Sequence, residues 1–119
     1  MSQYNESAVK SFPASGALGK NLRVMFGTAA TAGMMVLAGA ADVEVGALER
    51  PAFDSTDVVP VRLRTAQGTC ILVASGAITA GSTVFAAAGG KVAQAGTVTV
   101  GIAFQAATAN NDLIEVMRI

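Results

Sequence analysis

Pairs of acidic residues are the side chains of this sequence that come closest to a catalytic or cation-binding arrangement. Neighbouring carboxylates can serve as general acid and base, or bind a cation through their oxygen atoms. Around Asp54 the further ligands and the fixed glycine of a calcium-binding loop are missing. The first pair is separated by one residue, so we expect it on the outward, solvated face of a strand. The pairs are Asp42 with Glu44, Asp54 with Asp57, and Asp112 with Glu115.

Other reagents for catalysis are scarce. The 119 residues include no histidine and one cysteine, which excludes Ser-His-Asp and Cys-His nucleophilic sites and an internal disulfide. Cys70 lies in the apolar run GTCILVA and is expected to be buried as a small hydrophobic side chain. The glycines before Lys20 lack the spacing of a phosphate-binding loop. The sequence therefore predicts no enzyme, no cofactor and no metal site.

Charge and hydropathy limit the partners. Eight basic residues balance eight acidic ones, and charged residues are 13% of the chain, which argues against nucleic-acid binding. The N-terminal residues lack the basic and apolar regions of a secretion signal, so we expect synthesis in the cytoplasm. Residues 24–41 are uncharged, but their apolar side chains form two clusters separated by GTAATAG. This pattern predicts two buried strands and a small-residue turn rather than a membrane span.

Short apolar runs separated by glycine are typical of an all-β chain. The 13 glycines are spread over the whole length, and aromatic residues are only 5%. Around residues 42–47 the alternation predicts Val43 and Val45 pointing inward. Residues 58–64 also alternate, and Pro60 predicts that this strand lies at a sheet edge. Val98 and Val100 repeat this alternation, and further strands are predicted at 69–74, 83–87, 101–105 and 113–119.

An internal repeat organises these strands. Residues 40–64 align without a gap to residues 95–119 at an offset of 55, and residues 15–26 resemble 75–85. We predict two copies, at about 15–64 and 75–119, that pack together as one small β-sandwich or β-barrel because neither half buries its apolar face alone. The identical positions are Ala40/Ala95, Val43/Val98, Val45/Val100, Gly46/Gly101, Ala52/Ala107, Asp57/Asp112 and Val61/Val116.

Four of these repeated positions predict structural turn roles. Gly46 and Gly101 follow equivalent alternating strands, where glycine permits a bend. Asp57 and Asp112 each precede a closing strand. Loop carboxylates of this kind accept hydrogen bonds from nearby backbone N–H groups, and this explains a duplicated aspartate better than two active sites do.

The first fifteen residues differ from the rest of the chain. They are polar, with Tyr4, Val9 and Phe12 as isolated anchors and Pro13 near their end. We predict an N-terminal arm at residues 1–15 preceding a single β domain at 16–119. Such a segment can be disordered alone, or can add itself to the sheet or surface of another chain.

Lys91 supports an alternative function. It follows Gly89 and Gly90 in a small, internally repeated β chain, which is how lipoyl and biotinyl carrier domains present their modified lysine. The neighbours here are alanine and glycine, and the net charge is zero, whereas such carriers are acidic. A further alternative, an extracellular adhesin or carbohydrate-binding module, lacks a secretion signal and the aromatic side chains that stack on sugars.

A series of short motifs follows in order along the C-terminal half. AITAGSTV at 77–84 is followed by GKV at 90–92, VGIA at 100–103, an alanine-rich stretch at 106–109 and a final strand introduced by Asp112. In this order the motifs resemble the capsid decoration (cement) proteins of tailed bacteriophages. The resemblance covers about residues 22–119 and is looser in the first half. The family's usual Gly-Asp is replaced by Asn111-Asp112 and Thr56-Asp57.

The resemblance implies a function as well as a fold. It implies a small β-sandwich or β-tulip protein that forms homo-oligomers, with trimers favoured over dimers. Such a protein binds the outer surface of the expanded head and bridges major capsid subunits, without enzymatic activity and without contact to nucleic acid or membrane. On this interpretation the residues expected to contact the capsid or a neighbouring protomer are Tyr4, Val9, Phe12 and Pro13.

Overall fold

The computed structural model describes residues 8–119 and folds them into two five-stranded antiparallel sheets. The predicted all-β fold is confirmed. Within the described residues, the helical elements are two 3-10 turns, Ala29–Thr31 (the first turn) and Ala88–Gly90 (the second turn), and no helix is long and apolar enough to cross a membrane. The first sheet contains β1 (Val9–Pro13), β2 (Arg23–Phe26), β3 (Met35–Leu37), β4 (Gly46–Leu48) and β5 (Val58–Leu63). The second contains β6 (Thr69–Val73), β7 (Thr83–Ala86), β8 (Val92–Ala93), β9 (Thr99–Ala103) and β10 (Leu113–Arg118).

The two sheets have the same strand order. It is β1-β5-β4-β2-β3 in the first and β6-β10-β9-β7-β8 in the second, so each strand corresponds to the strand five places later. Thr69 at the start of β6 lies 60 residues after Val9 at the start of β1. Leu113 at the start of β10 lies 55 residues after Val58 at the start of β5. We call β1–β5 the first repeat and β6–β10 the second repeat.

Each sheet closes on itself. Residue Ala14, just after β1, forms a parallel bridge with Met35 of β3, and the Ser15 N–H donates to the Met35 carbonyl at 3.1 Å. In the second repeat Ala74 bridges Val92 in the same way. The first and last strands of each sheet order therefore meet, and each repeat is a small barrel.

Because each sheet closes, each repeat has its own hydrophobic core. The two repeats pack together as predicted, but the premise that neither half buries its apolar face alone is wrong. A five-stranded sheet that curls can bury its inward side chains without a second layer. Among the buried core residues described, only Ala47 belongs to the first repeat and packs with the core of the second. The first core contains Ala14, Leu18, Val24, Met35, Leu48, Ala52, Val59 and Val61. The second contains, besides Ala47, Cys70, Leu72, Ala74, Ile78, Val84, Ala86, Val92, Val100, Ala103, Ala107, Ile114 and Val116.

The predicted positions of most strands are confirmed. Residues 24–41 supply β2 and β3, which pair antiparallel around the first turn as the two apolar clusters predicted. The strand containing Pro60 does not lie at an edge, because β1 pairs with it on one side and β4 on the other. Pro60 lies opposite Glu49, one residue beyond the end of β4, and the Glu49 N–H donates to its carbonyl at 3.0 Å. The N–H that proline lacks would therefore fall outside the β4 ladder.

Glycine at two equivalent positions allows neighbouring strands to approach closely. Gly46 pairs with Val24 of β2, and Gly101 pairs with Val84 of β7. A Cβ on Gly46 would overlap the backbone of Arg62, and a Cβ on Gly101 would overlap the carbonyl oxygen of Met117. The strand pairs β4–β5 and β9–β10 therefore require a residue without a side chain at these points.

We expect Gly101→Ala to lower the free energy of unfolding by at least about 2 kcal/mol, because backbone must shift to admit the methyl group. Gly76→Ala is the matched control, since a Cβ there meets nothing within 4 Å. Urea unfolding followed by circular dichroism measures both. Equal stabilities of the two variants would show that the close approach at Gly101 is not required.

Candidate functional site

The side chains that could bind a metal or act as a nucleophile are dispersed over the described part of the fold. Among residues 8–119 no group of three His, Cys, Asp or Glu side chains could hold a metal ion. Cys70 is buried as predicted, and its Sγ lies 3.7 Å from the Val116 carbonyl. Burial raises the pKa of its thiol, which lowers its reactivity. The features that stand out are instead a cluster of buried charged side chains and surfaces of exposed apolar side chains.

The repeated aspartates bind loop backbone. Asp112 Oδ2 accepts from the Thr108 N–H at 2.8 Å, from the Thr108 hydroxyl at 3.0 Å and from the Ala109 N–H at 3.1 Å. Asp57 Oδ2 accepts from the Phe53 N–H at 2.5 Å, the equivalent bond in the first repeat. The backbone bond from Thr108 is the main cause of a lowered pKa at Asp112. Both carboxylates hold the loop that leads into the last strand of their repeat.

The lowered pKa of Asp112 predicts a pH-dependent contribution to stability. The folded protein favours the charged form, so this contribution is present above the ordinary aspartate pKa of about 3.9 and is lost as the pH falls through the folded value. We expect Asp112→Asn to be less stable than the wild type near pH 7, and the gap to shrink as the pH falls below about 4. Urea midpoints over a pH series measure it, and a gap that does not change with pH would contradict this role.

A buried ionic cluster, which we call the arginine–glutamate cluster, consists of Glu44, Arg23, Arg64 and Arg118. The side chains of Glu44 and Arg23 are fully buried. Glu44 Oε1 lies 3.8 Å from Arg23 Nη1 and 4.0 Å from Arg64 Nε, while its Oε2 lies 3.9 Å from Arg118 Nε. These separations exceed hydrogen-bond length, so the attraction is between charges.

The prediction that Asp42 and Glu44 share a solvated strand face is therefore wrong for Glu44. Strand β4 begins only at Gly46, so the alternation does not extend back to residue 44. Val43 points outward and is 56% exposed, whereas Glu44 is 3% exposed. The inward position of this segment is therefore held by Glu44, whose charge the arginines stabilise, and the prediction that Val43 points inward is wrong.

Arg23 joins the two repeats through backbone carbonyls. Its Nε donates to the Lys91 carbonyl at 3.0 Å, and its Nη2 donates to the Ala87 carbonyl at 2.9 Å, both in the second repeat. The same Nη2 donates to the Gly39 carbonyl at 3.2 Å in the first repeat. Burial lowers the pKa of the Arg23 guanidinium, and the charge of Glu44 opposes that shift. An arginine nevertheless stays protonated, so a permanent charge lies between the barrels.

The residue pattern does not predict this cluster, although one signal for it is present. Arg118 lies on the same strand face as the core residues Ile114 and Val116, so alternation alone places it inward. Alternation gives weaker evidence that Arg23 points inward, because Arg23 is the first residue of β2. In the second repeat the positions equivalent to Arg23 and Glu44 hold Thr83 and Thr99, so the cluster exists once and lies at the junction.

We expect Glu44→Gln to lower the free energy of unfolding by about 3 kcal/mol, because buried arginine charges lose their carboxylate. Glu49→Gln, on an exposed side chain, should change it by less than about 0.5 kcal/mol. Thermal and urea unfolding provide the comparison. If the two variants were equally stable, Glu44 would contribute nothing to the junction.

Of the predicted contact residues in the N-terminal segment, three are in the described structure and one is outside it. Tyr4 lies outside the described residues. Val9, Phe12 and Pro13 belong to β1, which pairs with β5 of the same chain. Phe12 packs against the first core and makes an edge-to-face contact with Phe26, with ring centroids 5.4 Å apart. Pro13 is exposed at the end of the strand.

An exposed apolar surface adjoins Pro13. Val58, the partner of Pro13 in β5, is 55% exposed, and Phe53 is 78% exposed. A cavity of about 270 Å³ beside Phe53 is lined by Arg50, Pro51, Phe53, Asp57 and Val59. Residues Pro13, Arg50, Pro51, Phe53 and Val58 form what we call the Phe53 surface, a place where a large apolar side chain and a cation face solvent together.

Lys91 is engaged within the fold. Its Nζ donates to Asn110 Oδ1 at 2.9 Å, and its carbonyl accepts from Arg23. Gly89 and Gly90 before it adopt left-handed backbone, with φ of 70° and 77°, which glycine adopts readily. The glycine pair therefore forms the second turn, and the side chain of Lys91 lies across the surface.

Comparison with protein-family models gives no match, and comparison with curated protein sequences gives none either. Among solved structures, the chain is similar to the N base of the head fibre gp8.5 of bacteriophage phi29, with a TM-score of 0.76. The similarity covers 93% of this chain and 94% of that one, at 12% sequence identity. The two chains share a fold over nearly their whole lengths.

Proposed function

We propose that this protein is a non-enzymatic component of a tailed-phage virion that decorates the outer surface of the expanded head. It binds major capsid subunits, bridges them as a homo-oligomer, most simply a trimer, and stabilises the shell against the pressure of the packaged DNA. The chain is made in the host cytoplasm and assembles on heads from there. Neither a cofactor nor nucleic acid or membrane contact is part of this role.

The proposal rests on the agreement between a resemblance in sequence motifs and a separate similarity in fold. The motifs at 77–116 resemble cement proteins in sequence, and the whole fold is similar to a protein described as a phage head fibre base. The described side chains support it, since the buried polar groups stabilise the fold and large apolar side chains are left at the surface. Exposed apolar surface of this kind is typical of protein–protein contact.

The mechanism is thermodynamic linkage. A protein that binds the expanded lattice, and not its precursor, shifts the equilibrium toward the expanded lattice by mass action. When one oligomer reaches several capsid subunits, the second contact forms at high effective concentration, so weak individual contacts suffice. Closed barrels suit this task because they have few free strand edges that could pair with the wrong chain.

The Phe53 surface is the part of the described structure that best fits the capsid contact. It combines an aromatic side chain, aliphatic neighbours and the guanidinium of Arg50, the composition found at the centre of strong interfaces. It is continuous with Pro13 at the end of β1. Tyr4 lies outside the described residues and stays a separately predicted contact residue.

We expect purified protein to co-sediment with expanded heads lacking it, and not with unexpanded heads, and to raise the temperature at which expanded heads release DNA. Phe53→Ser and Tyr4→Ala should each reduce head binding at least tenfold without changing the circular dichroism spectrum. Leu113→Ser removes an exposed apolar side chain of the second repeat, outside the Phe53 surface. It controls for a general loss of surface hydrophobicity and should bind heads like the wild type.

Undiminished head binding by both Phe53→Ser and Tyr4→Ala would refute the assigned contact, and equal binding to unexpanded heads would refute the linkage mechanism. Intact-mass measurement on protein from its native source tests the carrier alternative, which requires added mass on Lys91. Glycan binding in an array would instead favour the adhesin alternative.

A further inference from the structure

The junction within the chain shows which surfaces of a repeat fit together. On the first sheet Arg23, Ala47 and Arg62 lie side by side across β2, β4 and β5, as their registers show. This row faces the second repeat: Ala47 is 3% exposed and packs with the second core. Arg23 donates to carbonyls on both sides of the second turn. One repeat therefore offers an outer sheet row, and the other offers the turn that follows its second strand.

The same row exists on the second sheet. Thr83, Ile102 and Met117 stand at the equivalent positions of β7, β9 and β10 and are paired in the same way. Within the described chain this row is less covered than its counterpart, since Thr83 is exposed, Met117 is 36% exposed and Ile102 is half-buried. The fold thus repeats the junction surface but uses it only once.

The unused surface is more apolar than its counterpart. Positions that hold Ser11, Glu49 and Arg62 in the first sheet hold Ile71, Phe104 and Met117 in the second. Ile71 and Phe104 flank Glu115 across β10, and both are exposed. Polar side chains at these positions would favour solvent, whereas large apolar ones favour a partner. Ile71 also borders a cavity at the junction with Ala47 and Arg62 of the first repeat. We therefore call Thr83, Ile102, Phe104 and Met117 the second outer face.

The matching element is also present and uncovered. The first turn, Ala29–Thr31, follows β2 as the second turn follows β7, and it contains no buried residue. Its side chains are those of two alanines and a threonine, small but larger than in the second turn, where Gly90 lies so close to Arg23 that a Cβ would meet the Arg23 carbonyl oxygen at 2.9 Å. Each copy of the chain therefore carries one free outer face and one free turn at opposite repeats.

We propose that copies associate head to tail, with the first turn of one copy seated on the second outer face of the next, as the second turn is seated on Arg23 within the chain. This names the surface for the self-association that belongs to the proposed function. The contact is heterologous, since the two partners use different surfaces, and such contacts form a ring when the rotation between copies closes. A trimer is the ring that the proposed function calls for.

The oligomeric mass in solution tests the contact without any phage head, so its outcome is independent of the proposed function. We expect wild-type protein to have a mass that is a multiple of 11.9 kDa, by light scattering after size exclusion. Met117→Lys and Ala30→Glu should each shift it to the monomer mass with an unchanged circular dichroism spectrum. Phe53→Ser, outside both surfaces, should remain oligomeric.

Disulfide trapping distinguishes head-to-tail from two-fold association. When Thr83→Cys protein is mixed with Ala30→Cys protein and oxidised, we expect a cross-linked species of twice the chain mass that contains one copy of each. Neither variant alone should form it. A monomeric wild type over a concentration series, oligomers retained by both charged variants, or efficient self-cross-linking of Thr83→Cys would each overturn the proposal.

Discussion

The position of Arg23 is the constraint on which the arrangement of the two barrels depends. Its guanidinium is fully buried, remains charged, and is satisfied only by carbonyls contributed from both repeats together with the carboxylate of Glu44. A buried cation that loses part of such a shell is strongly destabilising. The barrels therefore have one favourable relative placement, the one in which Ala87 and Lys91 meet Arg23. Hydrophobic contact at the junction is small by comparison, since Ala47 alone joins the second core. Charge fixes the orientation, and apolar packing stabilises each barrel separately.

Two units with one strand order have diverged at their surfaces more than in their interiors. The inward positions of β5 and β10 remain aliphatic, and Gly46 and Gly101 keep the same close approach. Outside, the first sheet has charged residues where it meets the second repeat, and the second sheet has Met117 and Phe104 facing solvent. The outer face that packs against the other repeat and the outer face that is exposed therefore need different side chains. The difference between equivalent positions is thus as informative as their identity.

The all-β class, most strand positions and the turn aspartates follow from alternation and local hydrogen bonding, which act over a few residues. Sheet closure does not follow, because the bridge between Ala14 and Met35 depends on curvature that no local pattern encodes. For the same reason β1 was predicted as part of an arm, although it completes the first sheet beside β5. Glu44 was misplaced because a carboxylate reads as exposed unless its partners are known, and Arg64 and Arg118 are distant in sequence. The apolar surface at Phe53 lies in an irregular loop, where periodicity gives no guidance.

Separate cores have a consequence for synthesis on the ribosome. All strands of the first barrel lie within residues 9–63, so this barrel can close before the second half has been translated, as domains generally fold in order of emergence. At that stage Arg23 and Glu44 lack Arg118 and the carbonyls at 87 and 91, and both charges face water on what will become the junction. A half-made chain thus presents a hydrated, charged face in place of a bare hydrophobic one. Exposed charge of this kind disfavours association between partly synthesised chains, and the same charges later fix how the barrels pack.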